Sequence, residues 1–77
     1  MSDLDRVQWR CRRGMLELDL VLKEFMEKYY RQLSVPETET FKEMLNCPDN
    51  ELWDLIMARA VPENQSWNNV LNLLRTS

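Results

Sequence analysis

The stretch Met15-Leu-Glu-Leu-Asp-Leu-Val-Leu-Lys-Glu-Phe-Met-Glu-Lys-Tyr-Tyr-Arg-Gln-Leu33 decides the fold. Leu18, Leu22, Phe25, Tyr29 and Leu33 recur at steps that keep one face of a 3.6-residue helix, and Val21 and Met26 widen that face. The spacing predicts a helix from about Met15 to Gln32, the longest in the chain. Upstream, Leu4, Val7 and Cys11 give a short first helix that ends near Arg13. Gly14, the only glycine, follows and reads as a helix C-cap in the left-handed conformation. Downstream, Ser34-Val-Pro-Glu37 reads as a capping box, with Pro36 in the first turn where its missing N–H is harmless.

The rest of the chain repeats this grammar. Phe41, Met44 and Leu45 carry a third helix that stops near Cys47-Pro48. Asp49 is a candidate N-cap for a fourth, with Leu52, Trp53, Leu55, Ile56 and Ala60 on its apolar face. Pro62 breaks the chain, and a fifth helix runs from about Asn64 with Trp67, Val70, Leu71 and Leu74 on one side. Asn64, Asn68, Asn69 and Asn72 read as a solvated face. The expectation is an all-α, compact single-domain bundle of about five short helices over residues 1–77, without a sheet, with Phe25 and Trp53 in its core.

Composition excludes several functions. The 77 residues include no histidine, which removes the commonest general base, the commonest metal ligand and every Ser-His or Cys-His nucleophile pair. Cys11 and Cys47 lack C-x-x-C spacing and read as small apolar residues kept reduced. The longest apolar run, Leu55–Ala58, is too short to span a membrane, which takes about 20 residues, or to form a signal-peptide core. The amino terminus, charged from Asp3 onward, reads as the start of a mature cytoplasmic protein. An enzyme is not expected from this inventory.

Charge is uneven. The net charge is −3, yet residues 1–33 carry seven basic and six acidic side chains and residues 34–77 carry three and seven. Four of the seven arginines, Arg6, Arg10, Arg12 and Arg13, fall within eight residues. A basic patch on an acidic protein points to a specific partner surface more than to a polyanion.

That patch belongs to Trp9-Arg10-Cys11-Arg12-Arg13-Gly14-Met15-Leu16-Glu17-Leu18-Asp19, which has two readings. As punctuation, Arg12 and Arg13 suit a helix C-terminus, Gly14 the position after it, and Glu17 and Asp19 the first turns of the next helix. As a surface, Trp9 lies off the Leu4/Val7/Cys11 stripe and stands beside arginine, a composition enriched in binding hot spots. Arg6, Arg10 and Arg13 align at i, i+4 and i+7, more cation on one face than a cap requires.

Arg13-Gly14-Met15-Leu16-Glu17 resembles the R-G-x-x-E signature of the succinate dehydrogenase flavinylation factors, called SdhE in bacteria. The resemblance takes in the preceding W-x-C-R, the following Leu18-Asp19, a Leu-Ser turn before the third helix, and Leu-x-Cys with an acidic cap and Leu-Trp. It covers essentially the whole chain. It implies a five-helix cytoplasmic assembly factor that binds the flavoprotein subunit of succinate dehydrogenase, or of fumarate reductase, and promotes covalent attachment of FAD to a histidine of that subunit. The functional motif falls on Arg13, Gly14 and Glu17. Surface chemistry adds Trp9, Arg10, Arg12 and Asp19 as partner-binding residues.

On this reading the chain has no catalytic group, binds no metal and acts as a monomer. FAD belongs to the partner. The isolated chain is expected to bind no cofactor, because it has no Gly-rich phosphate cradle and little volume to spare for a pocket of about 300 Å³. The rival readings are a nucleic-acid-binding helical module that sets its four clustered arginines on phosphates, and an antitoxin-like interaction protein. The acidic total weighs against the first.

Overall fold

A computed structural model describes residues 3–76, among which there are five α-helices, a 3₁₀ turn and no strand. The helices are α1 (Asp3–Arg10), α2 (Leu16–Lys28), α3 (Val35–Met44), α4 (Asp49–Ile56) and α5 (Trp67–Thr76), with the 3₁₀ turn at Tyr30–Gln32 between α2 and α3. The all-α expectation holds. The reading of the amino terminus as a mature start begins at Met1 and Ser2, which lie outside the described residues.

The stripes read from the sequence converge on one core. Leu18, Leu22 and Phe25 of α2, Phe41 and Met44 of α3, Leu52 and Ile56 of α4, and Val70, Leu71 and Leu74 of α5 are buried. α5 packs against α2, α3 and α4, so its apolar face is the common wall. The Phe25 and Phe41 rings stack tilted with centroids 4.6 Å apart, and Tyr30 meets Phe41 edge-on at 6.0 Å. Phe25 is central. Trp53, expected beside it, lies half-buried at the rim.

Most differences from the sequence reading occur at helix ends. α2 stops at Lys28, four residues before Gln32, because the backbone tightens at Tyr29: Gln32 N–H bonds the Tyr29 carbonyl and Leu33 N–H that of Tyr30. The 3₁₀ turn lets two consecutive tyrosines reach the same aromatic cluster, Tyr29 on Phe25 and Tyr30 on Phe41. The capping box of α3 is present as expected, with Glu37 N–H donating to Ser34 Oγ at 3.3 Å and Ser34 N–H to Glu37 Oε1 at 3.0 Å. The Ser34 N–H on its carboxylate, helped by the Ser34 hydroxyl, lowers the Glu37 pKa.

Asp49 is not the N-cap of α4. Pro48 takes that place, and Asp49 is the first helical residue, its carboxylate turned elsewhere. Ala60 lies beyond α4, which closes at Ile56 with Ala58 in the left-handed region at φ 61°. Arg59 N–H bonds the Asp54 carbonyl at 2.8 Å and Ala58 N–H that of Leu55 at 3.2 Å, a Schellman closure built on alanine where glycine is usual. α5 begins at Trp67, three residues after Asn64, because the Asn64 side chain accepts from Ser66 N–H and Ser66 Oγ and holds a turn. Asn64, Asn68, Asn69 and Asn72 are exposed, as read.

Candidate functional site

The motif occupies the corner between α1 and α2. α1 ends at Arg10, short of Arg13, and Cys11 and Arg12 close it by donating to the carbonyls of Val7, Gln8 and Trp9. Gly14 has φ 89°, the left-handed conformation its identity suggested, but it stands four residues past α1 and is not the cap of that helix. A Cβ at Gly14 would meet nothing within 4 Å, so the glycine serves backbone conformation here, not internal packing.

Two carboxylates hold this loop. Asp19, in the first turns of α2, accepts from Arg13 N–H at 2.8 Å and from Gly14 N–H at 3.2 Å. Asp49 takes the side chain of Arg13: Arg13 Nε donates to Asp49 Oδ1, Nη1 to the Leu45 carbonyl at 2.7 Å and Nη2 to the Cys47 carbonyl. Leu45 and Cys47 lie at the C-terminal end of α3 and Asp49 at the first residue of α4. The cation therefore sits at the negative end of one helix dipole and the anion at the positive end of the next.

The four clustered arginines do not form one face. Arg10 Nη2 donates to the Lys42 carbonyl and to Asn46 Oδ1 across the exposed surface, so Arg10 as well as the half-buried Arg13 is engaged at the C-terminal end of α3. Arg6 and Arg12 are exposed. Arg12 lies over the Trp9 ring, its guanidinium carbon 5.6 Å from the centroid. The alignment of Arg6, Arg10 and Arg13 on one helix face fails because Arg13 lies beyond the last turn of α1.

An exposed surface remains. Trp9, Leu16 and Leu20 are 64%, 70% and 54% exposed, and Gly14 and Glu17 lie open between them in sequence. Beside them runs an open groove of about 650 Å³ whose walls include Cys11, Arg12, Gly14, Asp19, Leu20 and Lys23. The volume argument against a pocket on so short a chain therefore does not hold: the groove lies on the surface and costs the core nothing. Burial pushes the Cys11 thiol up to about 11, despite the opposing pull of Arg13 and Arg10, so the groove's thiol is protonated at neutral pH. Cys47 is raised in the same direction by its own burial and by Glu51. Both cysteines are free. Among the described residues, no group of His, Cys, Asp or Glu could hold a metal ion, and no helix is long and apolar enough to cross a membrane.

Of the sequence-derived site residues, Trp9, Arg12, Gly14 and Glu17 are each exposed, whereas Arg10, Arg13 and Asp19 make hydrogen bonds within the chain. Asp49 is the residue that sequence reasoning missed. Its signal was its acidity two positions after Cys47, which a helix N-cap explained equally well.

The family model described as flavinator of succinate dehydrogenase matches residues 5–77. The FAD assembly factor SdhE of Coxiella burnetii is 36% identical over 70 residues, covering 91% of this chain and 85% of that protein. The protein of the same name from Ralstonia nicotianae is 39% identical over 74 residues, covering 91% and 78%. That of Haemophilus ducreyi is 35% identical over 79 aligned positions, covering all of this chain and 96% of its own. With a family-model match over residues 5–77 and relatives at this identity over most of the chain, the protein belongs to the family of flavinators of succinate dehydrogenase.

Proposed function

We propose that this chain is an FAD assembly factor that docks on the flavoprotein subunit of succinate dehydrogenase, or of the related fumarate reductase, and promotes covalent attachment of FAD to a histidine of that subunit. One observation carries the reading: Trp9, Arg12, Gly14 and Glu17, all from the α1–α2 corner, are exposed, with Arg12 resting over the Trp9 ring. An exposed aromatic paired with an arginine is the composition of a binding hot spot.

The factor works as a template. Joining a histidine nitrogen to the flavin 8α-methyl carbon would need that methyl to lose a proton to a base. It would leave the flavin reduced by two electrons, to be reoxidised by an external electron acceptor such as oxygen. Groups of the flavoprotein would meet the negative charge that builds at the N1/O2 end. The factor holds the subunit in the geometry where they can. Gly14 lets the partner backbone approach, and Glu17 offers a charge-assisted acceptor. The chain supplies no histidine, so the acceptor of FAD is the partner's. The factor acts as a cytoplasmic monomer and leaves FAD with the flavoprotein. It has no Gly-rich phosphate cradle. Of the four arginines that a phosphate-binding module would use, two are already spent on α3, which favours the protein-docking reading.

Reconstitution tests it. The apo-flavoprotein subunit is incubated with FAD, with and without this chain, and covalent flavin is read by fluorescence after denaturing electrophoresis. The chain should raise the covalent yield and co-elute with the subunit in gel filtration. An equal yield without it overturns the function. Low-micromolar stoichiometric binding of FAD to the isolated chain would make it a cofactor carrier instead of a template.

A further inference from the structure

Arg13 belongs to the motif, yet its side chain is only 13% exposed, and its Nε and both Nη nitrogens are committed to Asp49, Leu45 and Cys47. An arginine so engaged has no open fork for a partner carboxylate. We propose that Asp49 is a positioning residue for flavinylation: it holds the Arg13 guanidinium against the end of α3 and so fixes the loop that presents Gly14 and Glu17. The inference rests on the function proposed above.

The geometry separates the motif into an inner and an outer part. The inner part is the pair of tethers, Asp49 on the Arg13 side chain and Asp19 on the Arg13 and Gly14 N–H groups. The outer part is Gly14 and Glu17, exposed, with no hydrogen bond to the Glu17 carboxylate among the described residues. Gly14, at φ 89°, is the most permissive link between α1 and α2, and without a tether it lets the loop take many conformations. Asp19 alone fixes the backbone locally to α2. Asp49 is the charged member of the set that ties the loop to the α3–α4 junction, 36 residues away, and it aims the guanidinium at the Leu45 and Cys47 carbonyls. Losing it misplaces the presented surface without removing any group from it, so docking must first order the loop and takes a higher factor concentration.

The test compares Asp49→Asn, Asp49→Glu, Arg13→Gln and the Asp49→Asn/Arg13→Gln double variant, with Ser34→Ala as a destabilised control remote from the corner. Covalent flavin formation is measured against factor concentration, and amide exchange is followed in the isolated chain. Asp49→Asn should raise the half-maximal concentration about tenfold with little change in the saturating rate, and Asp49→Glu should recover most of that loss. The double variant should be no worse than the poorer single one, because both changes open the same tether. Ser34→Ala should leave the half-maximal concentration in place. In the isolated chain, Asp49→Asn should speed exchange at Arg13 and Gly14 about tenfold and leave α5 protected.

Unchanged concentration dependence in Asp49→Asn overturns the proposal. So does an Arg13→Gln effect that adds in full to that of Asp49→Asn, since Arg13 would then meet the partner itself. If Asp49→Asn does not fold, Arg13→Lys, which keeps the charge and loses the fork, must show the same concentration shift or the proposal falls. Should the unaltered chain fail to raise flavinylation at all, the proposed function and this role fall together, while the exchange measurement still reads the tether by itself.

Discussion

Arg75, in the last turn of α5, donates from Nε to the Ile56 carbonyl at 3.0 Å and from Nη2 to the Leu55 carbonyl at 2.8 Å, closing the end of α4 from another helix. Arg13 does the same for α3. Helices of eight to ten residues leave a large share of their carbonyls without an intrahelical partner, and an arginine delivered from elsewhere satisfies them while joining two elements. Tertiary capping of this kind contributes to stability where the core is small.

Arg13→Ala should therefore cost about 2–3 kcal/mol, the range for charge-assisted bonds whose loss also leaves a half-buried carboxylate unpaired. Arg12→Ala, three bonds poorer and resting only on the exposed Trp9 ring, should cost less than about 1 kcal/mol. Chemical denaturation of the two variants side by side checks the contrast. Equal costs would mean that the inward fork of Arg13 contributes nothing.

Gly14→Ala meets no atom within 4 Å, so its cost is conformational alone. Forcing an L-residue to φ 89° should cost about 1–2 kcal/mol, and the β-branched Gly14→Val should cost more. Both should also weaken flavinylation by standing between the partner and the loop. A thermal melt unchanged in Gly14→Ala would show that the loop relaxes to a negative φ at no cost.

Glu17→Ala separates the surface from the scaffold. The side chain is exposed at the start of α2, so its removal should cost about 0.3–1 kcal/mol through the helix dipole. Covalent flavin formation should nevertheless fall well below that of the unaltered chain. Full activity in a folded Glu17→Ala protein would return the motif to a purely capping role.

Ala58 offers a gain. Its φ of 61° imposes on alanine a conformation that costs about 1–2 kcal/mol, and glycine gives back part of that through the greater entropy of its unfolded chain. Ala58→Gly should raise stability by about 0.5–1 kcal/mol, with flavinylation unchanged. A lower denaturation midpoint would contradict the left-handed closure of α4.

Cys11 predicts an alkaline weakness. Its folded pKa, raised to about 11 by burial, exceeds that of the unfolded thiol. The folded state keeps a proton that the unfolded chain releases, so this contribution is complete below about pH 9 and lost as pH rises to about 11. A Cys11→Ala variant should show a flatter stability profile across that window. At pH 8, a thiol reagent should modify the half-buried Cys47 before Cys11, whose labelling should follow unfolding.

Local chemistry was legible in the sequence; distant chemistry was not. The Leu18/Leu22/Phe25 stripe, the Ser34–Glu37 box and the left-handed Gly14 depend on neighbours within a few residues, and each is present. The ends of α1 and α2 depend on what the following side chains reach, and Tyr29 and Tyr30 were drawn out of the helix by Phe25 and Phe41. Asp49 looked like an N-cap because its partner, Arg13, lies 36 positions away. The exposed Trp9 was legible because it broke a stripe. The reach of Arg10 to α3 was not, because Lys42 and Asn46 enter only through the fold.

The three tryptophans are sorted by environment: Trp9 stands 64% exposed under Arg12, whereas Trp53 and Trp67 are half-buried, and the Trp67 Nε1 is shielded from solvent without an acceptor among the described residues. The chain thus carries a built-in optical gauge of its own docking. Emission from Trp9 comes from a hydrated indole and lies to the red of the other two. A partner that covers the α1–α2 corner dries that indole, and the red component moves to the blue while the shielded pair keeps its colour. Docking can therefore be timed by stopped-flow fluorescence without attaching a dye to so small a surface.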